Sequence, residues 1–300
     1  MPWTAADIPD LSGRYAVVTG TGGLGYETAL ELARHGAEIV LAGRNPAKGA
    51  QSVAKISAAA PGAKVVFEAL DLADLKSVAA FAARMNAQGR PLDLLVNNAG
   101  VMAFPTRRET VDGFEMQFGT NHLGHFALTA RLLPLLRGAR HPRVVTVSSH
   151  AHYIGRIRFD DLQAVRRYSP NRAYGQSKLA NLLFALELQR RSDAKGWNIL
   201  SDAAHPGGAA TELIPNGPGT GGWMAATSKW LLQPAADGAL PQLFAATSPD
   251  AKPSAYYGPQ KFFGLNGPPG LARLSRRARD PEVAARLWDV SEKLTGASFA

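Results

Sequence analysis

No cysteine occurs among the 300 residues. Disulfides, thiolate metal sites and cysteine nucleophiles are therefore excluded, which suits a reducing compartment. No apolar run approaches the roughly 18 residues that a membrane-spanning helix needs, and the opening "MPWTAADIPDLSGR" lacks a basic stretch followed by an apolar one. A cytoplasmic protein with no membrane span is the expectation. Acidic residues are outnumbered, 24 Asp and Glu against 33 Lys and Arg, giving a formal charge of +9. Such a balance suits an anionic ligand, but the basic residues are dispersed. Their densest cluster, "RLSRRARD" at 273–280, has no interleaved aromatics, so no nucleic-acid surface is expected. Internal repeats and low-complexity linkers are also missing, which excludes solenoids and leaves one domain over residues 1–300.

What is present is an alternation. "RYAVVT" (14–19) is short, β-branched and apolar, as a buried parallel strand should be, and a helix follows from Tyr26 to His35, stopped at Gly36. The strands "AEIVLAG", "KVVFEAL", "LDLLVN" and "RVVTVSS" then alternate with helical stretches, the last of these a long helix around Met116 to Leu136. Repeated strand and helix units joined by short connections predict an α/β fold, a doubly wound parallel sheet of the Rossmann type with helices on both faces. Ligands of such sheets sit at the carboxyl ends of the strands, so functional residues should cluster just after strands.

They do. "TGTGGLG", 19–25, joins the first strand to its helix with the glycines that let backbone approach a pyrophosphate. Read as G-x-G-x-x-G it uses Gly20, Gly22 and Gly25. "NNAG" ends the fourth strand with Asn98, Ala99 and Gly100, small enough for a flat ring to approach. Ser148 and Ser149 end "RVVTVSS", where a hydroxyl can bond a substrate oxygen. Asn121, in "GTNHLGHF", offers an amide that could hold a water or bridge backbone groups. Tyr174 and Lys178 lie four apart on one predicted helix, about one turn from each other. A phenol with a pKa of about 10 is a poor base, and a nearby ammonium favours its ionised form, so the pair suits proton exchange with a carbonyl or alcohol oxygen. After the next strand come Pro206, Gly207 and Thr211.

Two histidine pairs, His122 with His125 and His150 with His152, have spacings a metal could use, but they lack a companion ligand pattern, and no metal is expected. Tyr256, Tyr257, Phe262 and Phe263 in "PSAYYGPQKFFG" read as a last strand with core packing, or as a lipophilic pocket wall. "LIPNGPGTGGWMAATSKW", 213–230, reads as a mobile loop followed by an amphipathic helix that could close over a substrate.

Taken together, the glycine loop, "DLADL", "NNAG", "GTNHLG", "TVSSHAH", "YGQSK" and "HPGGAAT" resemble the short-chain dehydrogenase/reductase family over roughly residues 11 to 296, and the carboxyl-terminal third resembles its retinol-dehydrogenase-like and protochlorophyllide-reductase-like branch. The resemblance implies a hydride-transferring oxidoreductase acting on an alcohol or carbonyl, with lipophilic substrates among those compatible with it, with Tyr174 as general acid/base and Ser149, the second serine, orienting the reacting oxygen. It further implies that Lys178 holds the nicotinamide ribose and lowers the Tyr174 pKa, that Asn121 supports a proton relay through water, that Thr211 and the backbone near Pro206 hold the carboxamide, and that Asp71 and Leu72 border the adenine. Against the family's glycine pattern this loop is one residue short, so Gly20, Gly23 and Gly25, with Leu24, take the glycine roles. The alternatives are reduction of a polarised carbon–carbon double bond, or dinucleotide sensing without catalysis. The segments 150–171 and 213–232 are expected to border the substrate. A homo-oligomer is compatible with the resemblance.

Cofactor choice has its own local argument. A dehydrogenase that selects NAD carries an acidic residue after the second strand, to accept from the adenosine ribose. Here that strand ends "VLAGRN", with Arg44 in place of a carboxylate. A guanidinium suits a ribose 2′-phosphate and an acid would repel it, so NADP(H) is expected over NAD(H).

Overall fold

In the computed structural model, residues 2–102, 104–208 and 233–299 are described. Strands β1 (Tyr15–Thr19), β2 (Glu38–Gly43), β3 (Val65–Ala69), β4 (Leu94–Asn97), β5 (Arg143–Val147), β6 (Leu200–Ala204), β7 (Tyr256–Lys261) and β8 (Asn266–Leu271) form one sheet in the order β3-β2-β1-β4-β5-β6-β7-β8. Every neighbouring pair is parallel except β7 with β8. The strand order reverses between β1 and β4, where Val17 lies opposite Leu95, and a crevice at the carboxyl ends follows from that reversal.

The Val- and Leu-rich strands are buried on both faces because side chains alternate across the sheet. Val17, Val40, Leu95 and Val144 pack on the side of α3 (Leu75–Ala87), α5 (Gly124–Gly138) and α6 (Pro170–Lys195), against Phe81, Phe126 and Leu188. Ala16, Val18, Ile39, Leu41 and Val96 pack on the opposite side, against Leu32 of α1 (Gly23–Arg34), Ile56 of α2 (Pro46–Ala59) and Leu243 of α7 (Ala235–Thr247). A last helix, α8 (Pro281–Thr295), lays Trp288 on Phe126 and Phe184.

Three features depart from the expectation. The helix around residues 116 to 136 is not uniform: α4 (Met116–Phe118) opens into a wide π turn at Gly119–Leu123 before α5 begins. β7 is not the last strand, since the Pro- and Gly-rich β8 pairs antiparallel to it at the sheet edge. Tyr256 and Tyr257 are core, as expected of the strand, but Phe262 and Phe263 at the β7–β8 tip are exposed. The loop and helix expected at 213–230 lie outside the described residues. Among the described residues no helix is long and apolar enough to cross a membrane.

Candidate active site

At the β1–α1 junction Gly20 adopts φ +97°, and a side chain there would strike the Asn98 amide. Gly25 is tighter still, since a Cβ would lie 2.1 Å from the Gly20 carbonyl oxygen. Gly22 is the N-cap of α1 and offers no side chain. The first amides of the helix, on Gly23 and Leu24, therefore face outward without an intrahelical acceptor, an arrangement suited to a pyrophosphate. Thr19 fastens this loop to the end of β4: its hydroxyl accepts from the Asn98 and Ala99 amides, at 3.0 Å each, while Asn98 Nδ2 donates to the Thr19 carbonyl. The other face of the Thr19 hydroxyl meets Nε2 of buried His125 at 2.9 Å.

Gly43, ending β2, packs on the Thr21 side chain, which sets the following Arg44 beside the glycine loop. Arg44 is exposed, and none of the polar contacts among the described residues involves its side chain. Asp71 is engaged in a local turn, its Oδ1 accepting from Ala73, and neighbouring Leu72 is buried beneath Gly124.

Across the sheet edge, Ser149 ends the extended chain after β5 and Tyr174 lies in the first turns of α6, with the Ser149 hydroxyl close enough to act on the Tyr174 phenol. Ser148 points away and donates to the Lys178 carbonyl at 2.7 Å. Buried Lys178 extends its Nζ to 5.7 Å from the Tyr174 ring centroid and donates to the Val147 carbonyl at 3.1 Å. A Cβ on Gly100 would stand 3.2 Å from Asn121 Oδ1 and 3.6 Å from Lys178 Nζ. Gly100, Asn121, Ser149, Tyr174 and Lys178 thus converge on the carboxyl ends of β4 and β5. Pro206 and Gly207 follow β6; Gly207 has φ +64° and no room for a side chain beneath Leu265. Thr211 lies outside the described residues.

Two electrostatic details differ from the reasoning on spacing. Burial pushes the Tyr174 phenol up from its ordinary value, with the nearby Ser149 hydroxyl acting in the opposite direction. The expected lowering by Lys178 is not among the causes of this shift, and burial holds the Lys178 ammonium itself down to about 8. The Asn121 amide is already committed: Oδ1 accepts from the Val101 amide, and Nδ2 donates to the Val101 carbonyl and to Ser177 Oγ. Its main-chain carbonyl bonds His125 Nδ1 at 2.9 Å. Of the two roles open to the amide, it bridges backbone groups.

The histidines have protein partners. His125 sits between Thr19 and Asn121, and burial takes it down to about 4. His122 meets Ser291 Oγ at 2.9 Å. His150 packs edge-on against His205 at 4.4 Å, and His205 and His152 both contact the Tyr256 ring. This aromatic wall beside Ser149 has no signal in the sequence, where its members spread over about a hundred residues with no common spacing.

Residues 14–217 match the family described as short chain dehydrogenase. The chain belongs to that family. It is therefore an oxidoreductase acting on CH–OH groups, built on a fold that binds nicotinamide dinucleotides. The dehydrogenase is 43% identical to the polyprenol dehydrogenase of Mus musculus, over 97% of this chain and 86% of that protein. It is 41% identical to retinol dehydrogenase 12 of Mus musculus, over 98% and 89%. A crystal structure of a Mycobacterium paratuberculosis protein matches at 44% identity and a TM-score of 0.83, covering all of both chains. At 23% identity and a TM-score of 0.63, a short chain dehydrogenase of Shigella flexneri complexed with NADP shares the fold over 82% of this chain and 97% of its own.

Proposed function

We propose that the protein is an NADP(H)-dependent dehydrogenase of a lipophilic alcohol and its carbonyl, with Tyr174 as the proton donor and acceptor. The observation that carries the reading is the meeting of Ser149, Tyr174 and Lys178 within the crevice that begins at the glycine loop. A dinucleotide fits this chain's own groups: the open amides of Gly23 and Leu24 suit its pyrophosphate, Gly100 leaves backbone uncovered beside Lys178, and Arg44 is free to meet a ribose 2′-phosphate. Bound there, the nicotinamide supplies or accepts the hydride.

Ser149 donates to the substrate oxygen and holds it against the Tyr174 hydroxyl. With its pKa raised, Tyr174 is protonated at neutral pH and releases its proton to the oxygen of a carbonyl as that oxygen gains charge; alcohol oxidation returns the proton to the phenolate. Lys178 hydrogen-bonds the ribose through the Nζ protons not given to Val147. Asn121 acts as a positioning residue through Val101 and Ser177, which keeps the β4 loop and the Tyr174 turn in register. Support for a lipophilic substrate comes from the likeness to polyprenol and retinol dehydrogenases.

The experiment is a fluorescence titration with NADPH and NADH, followed by turnover on long-chain and isoprenoid alcohols and aldehydes. Tyr174→Phe should bind NADPH as the parent does and lose turnover by a factor of roughly a thousand or more, general acid catalysis together with its oriented proton being removed. Turnover within tenfold of the parent would sink the assignment.

A further inference from the structure

The charge excess of +9 exceeds what a dinucleotide would use, and part of it converges on one place. A cavity of about 220 Å³ is lined by Arg156, Arg158, Arg167, Arg172 and Arg277. None of the five forms a salt bridge among the described residues. Arg158 feels the charge of Asp160, which is itself paired with Arg166, and Arg277 donates to the Gly155 carbonyl at 2.9 Å. One carboxylate, Asp161, reaches the lining, and its Oδ1 already accepts from the Val165 and Arg166 amides. Five guanidiniums round one hollow repel one another and gain from a multivalent anion placed among them.

The frame behind them is fixed. Gln176 is 5% exposed, and its amide bridges the Arg158 N–H and the Leu162 carbonyl, tying the 156–169 loop to α6. Ala164, on the lining, is held at φ +47°, a left-handed conformation that an alanine adopts only where its surroundings impose it. Ala173 and Gln176 face the cavity and lie roughly 150° round α6 from Tyr174 and Lys178, so this hollow is not the catalytic crevice. Beside it, and also reached by Asp161, lies a second cavity of about 430 Å³ whose apolar walls are Phe159, Leu162, Val165, Val290 and Leu294. The segment 150–171 therefore divides: its first residues adjoin Ser149, and the rest builds these two cavities.

We propose that the arginine cavity is a second binding site, for a phosphate or diphosphate group, with the neighbouring apolar cavity taking the hydrocarbon when that group heads a lipid. Guanidiniums match phosphate oxygens two at a time, and five of them can surround a diphosphate. The proposal does not depend on the redox reading, since it concerns the opposite face of α6.

The test is calorimetric titration at low ionic strength with sodium pyrophosphate, of the full chain whose glycine loop has first been filled by saturating NADPH, alongside flotation with phosphatidylcholine vesicles with and without phosphatidic acid. Three proteins are compared: the parent, Arg167→Gln/Arg172→Gln, and Arg44→Gln, which alters the cofactor side alone. The expected result is saturable binding that weakens about a hundredfold in the double variant, roughly tenfold per charge-assisted pair removed, and is unchanged in Arg44→Gln. Arg167 and Arg172 are exposed and make no hydrogen bond through their side chains, so the variant should retain the parent's circular dichroism and melting curve. Pyrophosphate binding without preference for phosphatidic acid assigns a free phosphate; selective flotation with phosphatidic acid that the double variant loses assigns a lipid headgroup. Binding of neither probe, binding that survives in the double variant, or binding lost in Arg44→Gln would overturn the site.

Discussion

Replacing Lys178 with methionine should make the protein more stable while silencing it. In the folded state burial holds this ammonium at about 8 against 10.5 when solvated. A difference of about 2.5 units, at 1.36 kcal/mol each, amounts to about 3 kcal/mol by which the charged, buried form is disfavoured. The substitution also removes the hydrogen bond to the Val147 carbonyl, worth about 1 kcal/mol, although Asn181 Nδ2 still donates to that oxygen at 3.0 Å. The net gain is about 2 kcal/mol at pH 7, or roughly 4 °C in melting temperature for a chain of this size. Its sign with pH follows from the lowered value: the unfolded chain binds more protons between pH 8 and 10.5, so the parent regains stability as pH rises through that window. The penalty is complete below pH 8. Thermal melts of cofactor-free parent and Lys178→Met at pH 7, 9 and 10.5 measure the difference, which should shrink steadily toward high pH. A variant that melts below the parent at pH 7, or whose advantage is the same at all three pH values, refutes the argument that Lys178 is retained for function against a cost in stability.

Other outcomes follow from the same geometry. Arg44→Glu should weaken NADPH by about a hundredfold in a fluorescence titration and leave NADH nearly unaffected, a carboxylate repelling the 2′-phosphate where a guanidinium met it; equal losses for both would show that Arg44 does not discriminate. Gly25→Ala has no space, with Gly20 backbone 2.1 Å from the new methyl, so the loop must shift and affinity for either cofactor should fall at least tenfold in the same titration. Alcohol oxidation should accelerate as pH rises toward 10, because the raised Tyr174 pKa keeps its base form scarce at neutrality; a pH–rate profile flat from 7 to 10 would contradict this. Asp202, buried on β6 with neither carboxylate oxygen hydrogen-bonded, has its pKa raised well above the ordinary value by burial. Its ionisation therefore costs stability as pH rises above about 4, and Asp202→Asn should raise the melting temperature at pH 7 but hardly at pH 3.

The sheet was legible because parallel strands buried on both faces leave continuous runs such as "YAVVT" and "RVVTV", and the crevice followed from where those runs end. β8 was not, since "NGPPGL" contains two prolines and two glycines, tolerable only on an edge strand whose missing donors face outward. Spacing alone placed Tyr174 and Lys178 together, but it could not rank burial against the ammonium, which depends on everything packed around the pair. The partners of the Asn121 amide were hidden for a related reason: Val101 and Ser177 reach it only through the path of the chain in space. The five arginines of the cavity come from three stretches, 156–158, 167–172 and 277, and no window of sequence holds them all.

The π turn at Gly119–Leu123 has a consequence for how this helix tolerates change. Such a turn amounts to one inserted residue, so α4 and α5 are two helical ladders out of phase by roughly 100°. Deleting a single residue there would not merely shorten a loop. It would restore continuous α-helix, rotate the Phe126 to Leu136 face away from the sheet or swing Asn121 away from Val101, and force the chain to choose which to keep. Single-residue deletions across 117–125 should therefore be far more harmful than most substitutions at the same positions, and the jump in hydrophobic phase at this point offers a sequence signature for the asparagine itself.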